Sequence, residues 1–548
     1  MDPQKMELYY EELRRMKELK KKDYKRIFRN GEGDNKVERV LNRHQIQREL
    51  YKINMNQKKI DFDEYHSFIQ KEVNEKEDID ICILGGGPTG TYLARRMAYE
   101  YPSKKILLVE KGESVGGHIY SSSFEPLKSF YTEYNIEFGN GKVIEKDIKM
   151  KHLCEILGIE KEKERERRLY QYYLRNKLNG IERFEMGEEE KSYELKEKVD
   201  EYIKKNYGIY SFFEESTRFK IETEEEFMKI SFEDELLSSL SDEGKDFHLG
   251  KNGLYEIKNQ SLYTWIYDLS IKNEKRIEFK ISGEGICEKL VEKYHRLTFE
   301  QMKNSRFRFE LYPTRNHYLL LQTRCESFVV NNQNDIEVSL LYQDGFQSNR
   351  TKIRSKELYI TYPVDELINI YRWDIYYTKM IKESIESRPI FEFYIYFEDT
   401  SNIPEWGIYT DGKIHRFERY MGNVYYGVSY KEIWDDKIDK RVEKEMKEDE
   451  RLINIIWEEM KKYYQRDDIP KGKKISWRYE KGGVKRWNRI YKNRLEEIKK
   501  KIRYPFTDKV NVYYVNEDVS LLQDHWEGAI EEVESFFGES SILDMSLL

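Results

Sequence analysis

The sequence predicts an α/β fold, α+β overall, organised around a parallel sheet, and three observations near residue 80 predict it. An apolar run of strand type, Asp78 to Leu84, ends in Gly85-x-Gly87-x-x-Gly90. A helical pattern follows at once, with Leu93, Ala94, Met97 and Ala98 on one face. A second apolar run, Ile106 to Val109, reads as the next parallel strand and ends in Glu110, twenty residues after Gly90.

Each glycine of this unit has its own physical reason. Gly85 permits a sharp turn, Gly87 lets the backbone approach a pyrophosphate, and Gly90 lets the helix pack closely on the strand. Pro88 and Thr89 open the helix, where free N–H groups and the positive end of the dipole favour phosphate. Glu110, followed by Lys111, suits a pair of ribose hydroxyls. The spacing therefore predicts a dinucleotide site.

Length and composition set the scale. At 548 residues the chain is expected to form two or more domains. Charged residues make up 36%, but 44 tyrosines and 26 phenylalanines supply apolar surface for a core, so disorder is not expected. A net charge of −7 with a pI near 6.0 provides no basic field, and a nucleic-acid partner is not expected. The cysteines at 82, 154, 287 and 325 have no metal-ligand spacing, so neither a metal site nor a disulfide framework is expected. Met1 to Lys5 is no signal peptide and no long apolar run exists, which predicts a cytoplasmic chain without membrane contact.

Residues 1–77 read as a helical extension. Leu8, Leu13, Met16, Leu19, Tyr24, Ile27 and Phe28 approximate one helical face, and Val37, Val40, Leu41 and Leu50 suggest a second helix. Lys20-Lys21-Lys22 gives this hairpin a modest basic excess, which suits docking to an acidic protein partner or to nucleic acid. The solvated side of amphipathic helices explains the same charges more simply.

Beyond Glu110 the chain runs Lys111-Gly112-Glu113-Ser114-Val115-Gly116-Gly117-His118, then Phe138-Gly139-Asn140-Gly141, then Leu153 to Ile159. This succession resembles the flavin-containing amine oxidase superfamily of monoamine, polyamine and L-amino-acid oxidases, as a divergent member. In that family a Val-Gly-Gly-Arg segment follows the ribose acid, a glycine loop passes beside the flavin, and a helix ending in Leu-Gly-Leu comes next. The resemblance implies FAD rather than NAD, with Gly116 and Gly117 against the pyrophosphate and Gly139, Asn140 and Gly141 near the cofactor. His118 stands where the family has arginine, and a mostly neutral imidazole implies a weaker contact.

From Glu160 to Ser270 the chain is dense in charge, and Glu160 to Arg168 and Glu188 to Lys204 read as solvated helices of an inserted, mostly helical lobe. Ser282-Gly283-Glu284-Gly285 opens a short helix similar to the family's return into the flavin domain. Strand-like runs at Tyr318 to Gln322, Ser327 to Val330, Ile336 to Tyr342 and Glu357 to Thr361 read as a meander. Leu358 to Leu367 resembles the family's exit from the flavin domain and puts Pro363 at the cofactor. A lysine a few residues further on holds a water against the flavin in many relatives. Ile368 and Asn369 occupy those positions here, and the next lysine is Lys379.

Aromatic residues are frequent from 371 to 500, among them Tyr376, Tyr377, Trp406, Trp434, Trp457, Trp477 and Trp487. An aromatic-walled pocket for an amine is one expectation; core packing explains most of them equally well. The last block, Val512 to Asp518 and then His525-Trp526-Glu527-Gly528-Ala529, resembles the family's C-terminal signature. By that resemblance Asn516, Glu517, Asp518 and Trp526 belong to the cofactor site, with Asn516 replacing a glycine. His525 falls where relatives carry an aromatic over the flavin, and is the candidate catalytic proton acceptor. No cysteine follows Cys325, so the FAD is expected to be noncovalent.

These blocks imply a Rossmann-like FAD-binding domain of glutathione-reductase type built from residues 78–158, 280–362 and 503–537. An interleaved mixed α/β substrate domain would take 159–279 and 363–502, with the extension 1–77 and a tail at 538–548. The implied function is hydride transfer from a carbon next to an amine nitrogen of a small-molecule substrate to flavin. His118, Asn516 and the missing lysine motivate an alternative, a flavin fold kept as a binding or structural module. A UDP-galactopyranose mutase-like activity would need an arginine pair, which the motifs do not place.

Overall fold

Ile81 to Leu84 and Ile106 to Val109 are apolar at successive positions, as strands must be when helices cover both faces of their sheet. They form β1 (Asp78–Leu84) and β2 (Ile106–Val109), paired in parallel and joined by α1 (Pro88–Glu100), with every residue of β2 buried. The computed structural model describes residues 78–124, 135–139, 143–144, 147–165, 170–174, 177–179, 276–279, 281–298, 316–330, 335–344, 347–370, 374–404, 407–410, 412–430, 445–487, 495–506, 510–520, 523 and 526–537. The extension 1–77, Glu188 to Lys204, the tail 538–548 and residues Asn140, Gly141, Trp406, Trp434 and His525 lie outside the described residues.

From β2 the chain runs through the hairpin β3 (Tyr120–Ser123) and β4 (Asn135–Phe138), then β5 (Val143–Ile144) and α2 (Ile148–Ile156). The strands β6 (Lys161–Arg165), β7 (Tyr170–Leu174), β8 (Lys177–Asn179) and β9 (Arg276–Phe279) follow. Next come α3 (Gly283–Leu290), β10 (His295–Leu297), β11 (His317–Leu320), β12 (Thr323–Val330), β13 (Ile336–Asp344) and β14 (Gln347–Ile360). Ser282 caps α3, its Oγ accepting from Gly285 N–H at 3.1 Å.

A second excursion holds α4 (Val364–Ile370), α5 (Ile375–Ser384), β15 (Ile385–Tyr396), β16 (Gly407–Thr410), β17 (Arg416–Met421), β18 (Val424–Ser429), α6 (Glu445–Tyr464) and β19 (Lys474–Trp487). The chain returns through α7 (Leu495–Arg503), β20 (Val512–Tyr514) and α8 (Trp526–Glu534). None of the described helices is long and apolar enough to cross a membrane.

The first sheet has the order β10-β11-β2-β1-β14-β13-β12, with β20 also beside β14. β14 is long enough to serve three neighbours. Its second half lies parallel to β1, from Asp78↔Arg354 to Leu84↔Ile360, its last residues lie parallel to β20, and its partner in the meander is the antiparallel β13. The second sheet, β19-β15-β18-β17-β16-β7-β8, acts as a cap. One of its faces packs Phe391, Phe393 and Ile395 against Leu452, Ile456 and Met460 of α6, with Trp457 and Trp477 at the margin. Tyr394, Tyr426 and Val428 on the other face meet Phe138 and Ile136 of the β3–β4 hairpin. Trp487 is buried in the core of the first sheet, and Tyr376 is exposed on α5. Core packing thus accounts for most of the described aromatic residues between 371 and 500.

Two local expectations are corrected. Over its described residues the stretch expected as a helix from Glu160 to Arg168 is extended instead: Lys161–Arg165 is β6, antiparallel to β9, so the described part of the inserted lobe is stranded. A run of Lys, Glu and Arg has no apolar period to read, and a distant partner strand decides its conformation. Tyr318 to Gln322 does not belong to the meander. Tyr318 to Leu320 fall in β11, which lies parallel to β2 from His317↔Ile106 to Leu320↔Val109, and Leu321 and Gln322 follow it, leaving β12, β13 and β14 as the meander. Four apolar residues read alike in either pairing; only the burial of Tyr318, Leu319 and Leu320 marks a central strand.

Candidate nucleotide-binding site

At the end of β1 the backbone turns through Gly85, whose N–H donates to the Val109 carbonyl at 2.8 Å. Gly90, one turn into α1, sits against that same backbone: a Cβ there would lie 1.9 Å from the Gly85 carbonyl oxygen. Gly87 caps α1 without a side-chain hydrogen bond, and Pro88 follows it, so the first turn presents its backbone outward. A second glycine turn stands opposite. Gly116 N–H donates to the Gly86 carbonyl at 2.8 Å, and Gly117, at φ +61, brings its Cα to 3.9 Å from where a Gly87 side chain would begin. The two turns face each other with only backbone between them.

Glu110 closes one end of this cradle. Its carboxylate accepts N–H bonds from Gly86 at 2.6 Å and Gly112 at 2.7 Å. Burial still lifts its pKa above the ordinary 4.5, outweighing those two bonds. Because the fold then binds this proton more tightly than the unfolded chain, the group's contribution to stability falls as pH rises from 4.5 through the raised value. The difference in melting temperature between wild type and Glu110→Gln is therefore expected to be largest at the acid end and to shrink as pH climbs, measured by calorimetry at stepped pH. Lys111 points away: it is exposed, with its Nζ 3.8 Å from Glu366.

The C-terminal block closes the other end. Thr89 Oγ1 donates to Glu517 Oε2, and Val364 N–H, just past Pro363, donates to Asp518 Oδ2 at 2.6 Å. Asn516 Nδ2 donates to the Thr361 carbonyl at 2.8 Å and its Oδ1 accepts from Asp518 N–H at 2.9 Å. The asparagine that stands for a glycine is thus a brace between β14 and the turn after β20. Trp526, at the start of α8, is buried with no acceptor for its Nε1 among the described residues. Glu527 beside it accepts from Lys149 and Met150 N–H, both at 3.1 Å, which ties α8 to α2.

The cap sheet adds residues that the sequence argument missed. Gly139 N–H donates to Glu392 Oε2 at 2.9 Å, and Arg478 Nη1 donates to the His118 carbonyl. Against the burial that would raise it, nearby Arg478 and His118 hold the Glu480 carboxyl below its ordinary range. Lys485 is buried with its Nζ 2.9 Å from Asp365, two residues past Pro363. The signal lay in the alternation Trp477-Arg478-Tyr479-Glu480, whose period of two sends aromatics to one face of β19 and ions to the other. Ile368 packs against the core, and Lys379 lies on the surface with its Nζ 3.6 Å from Glu383, so neither puts a lysine at this turn. No cluster of three metal-ligating side chains occurs among the described residues.

Residues 83–140 match the family described as an NAD(P)-binding Rossmann-like domain. Among curated proteins, the uncharacterized protein R188 of Acanthamoeba polyphaga mimivirus is 43% identical over 47 residues, 9% of each chain, so this chain spans under a tenth of that relative. Among solved structures, a putative protoporphyrinogen oxidase from Exiguobacterium sp. 255-15 is 14% identical with a TM-score of 0.52, over 84% of this chain and 98% of that one. A putrescine oxidase triple mutant redesigned in cofactor binding gives 11% identity and a TM-score of 0.52, over 84% and 98%. A double mutant of the same oxidase gives 11% and 0.50, over 86% and 99%. The chain has a mixed α/β fold with a Rossmann-like nucleotide-binding unit, the fold of these oxidases.

Proposed function

We propose that this chain binds FAD noncovalently and is an oxidoreductase that moves hydride from a carbon next to an amine nitrogen of a small-molecule substrate to the flavin. The observation that carries the reading is the pair of glycine turns at Gly85–Gly90 and Gly116–Gly117, which face each other over the open N-terminus of α1. Backbone N–H groups and a helix dipole converging there suit a pyrophosphate. Glu110 would receive ribose hydroxyls, and Thr89 and Glu517 would line the way from the pyrophosphate toward α8. The unsatisfied Trp526 Nε1 supplies a buried donor at the start of α8, where the helix N-terminus favours negative charge. A bound flavin supplies the hydride-accepting chemistry; the chain binds, orients and shields it. The four cysteines are buried within the fold, and burial pushes their thiols up, which supports noncovalent attachment.

Purified protein is expected to show the visible absorption bands of oxidised flavin, and a panel of polyamines, monoamines and amino acids is expected to include one that bleaches them without oxygen. Colourless protein that rejects added FAD would overturn the cofactor reading. FAD that no amine reduces would favour the second reading, a flavin fold kept as a binding module, to which the apolar Ile368 at the lysine position already lends support.

A further inference from the structure

Glu392 on β15 and Arg478 on β19 stand opposite one another in register, both buried, with Oε2 and Nη1 4.0 Å apart. Each also reaches the backbone of a different loop of the nucleotide-binding half. Glu392 accepts the Gly139 N–H, and Arg478 holds the His118 carbonyl. No side chain fits at 139, since a Cβ there would lie 2.4 Å from the His118 carbonyl oxygen and 3.1 Å from Arg478 Nη1. The pair is braced in turn. Tyr426 O–H donates to Glu392 Oε1 at 2.7 Å, and the Arg478 guanidinium lies 5.4 Å from the centroid of the Tyr120 ring.

Well-packed apolar residues would join the cap to these loops at least as stably as a buried ion pair, so the pair's value lies in the direction it imposes. Arg478 ties down the peptide of residue 118, while the His118 ring stays half-exposed beside the exposed Gly117. We infer that Glu392 and Arg478 are positioning residues for the nucleotide site, fixing from the cap sheet where the Gly116–His118 and Phe138–Gly139 turns stand. The inference rests on the FAD reading only for the identity of the ligand those turns receive.

The test compares Glu392→Ala and Arg478→Ala in the full chain with Arg416→Ala, which breaks the Arg416–Glu418 pair on β17 of the same sheet. Without added cofactor, amide exchange at residues 116–123 and 136–139 is expected to quicken about ten- to hundredfold in the first two variants, the weight of a hydrogen bond to a charged group, and to hold steady in the third. FAD affinity, titrated by flavin fluorescence, is expected to fall by a similar factor, with Arg478→Lys recovering part of it. Unchanged exchange in the two turns, or equal quickening in Arg416→Ala, would overturn the inference. Quickened exchange in a protein that binds no FAD would uphold the positioning of the turns and remove the FAD reading instead.

Discussion

Alanine at Gly87 and alanine at Gly90 are both expected to lose cofactor binding, but only alanine at Gly90 to lose stability, although the two residues stand three apart in one turn. At Gly90 the new Cβ would lie 1.9 Å from the Gly85 carbonyl oxygen, 2.9 Å from its carbon and 2.7 Å from Thr361 Oγ1. Backbone atoms cannot rotate away, so α1 must retreat from β1 and from the β14 end. Overpacking of this kind costs about 1–3 kcal/mol and occasionally more. Gly87 has a φ of −71, which any residue adopts, and its Cβ would meet nothing nearer than Gly117 Cα at 3.9 Å. Gly87→Ala should therefore keep the stability of the wild-type apoprotein while its methyl group fills the space a pyrophosphate needs. Denaturant unfolding without cofactor and FAD titration separate the two: Gly90→Ala loses stability and binding together, Gly87→Ala loses binding alone. Normal FAD affinity in Gly87→Ala would remove the cradle from the cofactor site.

Arg96→Ala is expected to cost about 3 kcal/mol, the low end of the penalty for breaking a buried ion pair, since the carboxylates left behind are partly exposed. Arg96 is completely buried on α1, with Nη1 2.5 Å from Glu100 and Nε 3.2 Å from Glu534 at the end of α8. Its guanidinium lies 4.8 Å from the centroid of the Phe537 ring, and Tyr92 O–H donates to the same Glu534 oxygen at 2.6 Å. Truncation strands Glu534 and loosens α8, and with it the Trp526 end of the site. An apolar replacement of the buried part of the cluster, Tyr92→Phe with Arg96→Met and Glu534→Leu, should recover most of the loss, because the one carboxylate then left without Arg96, Glu100, is exposed to water. Urea unfolding of both variants is the measurement. A loss within about 0.5 kcal/mol for Arg96→Ala, the usual range of a surface substitution, would show that Arg96 does not anchor α8.

The parts of this fold legible in the sequence are those whose physics is local. The glycine spacing at 85–90 and the apolar run 106–109 are fixed by backbone sterics and two-sided burial within a few residues, and the strand–turn–helix follows from them. The helix at Gly283–Leu290 carries its own capping serine. What eluded the sequence depends on partners far along the chain. Lys161–Arg165 is stranded because β9 lies beside it, and β11 is central because β2 and β10 flank it. The same holds at the site. Glu110 is readable as the acid ending a strand, whereas Arg478 and Lys485 gain their positions from the packing of the cap sheet on loops more than 100 residues away. A charged residue in an alternating strand names no destination until the other sheet is in place.

The long strand β14 also sets a timetable for biosynthesis. Its parallel neighbour β1 is made early, but β20, which completes the sheet, the turn after it with Glu517, and α8 with Trp526 emerge from the ribosome more than 400 residues after Asp78. At roughly 5–20 residues per second that is a wait on the order of 20 to 90 seconds. For only the last part of it, the about 150 residues from Ile360 to Val512, the apolar edge of β14 at Leu358 and Ile360 lacks its final partner, a template for wrong pairing. A nascent chain of this design is open to mispairing at that edge until β20 has emerged.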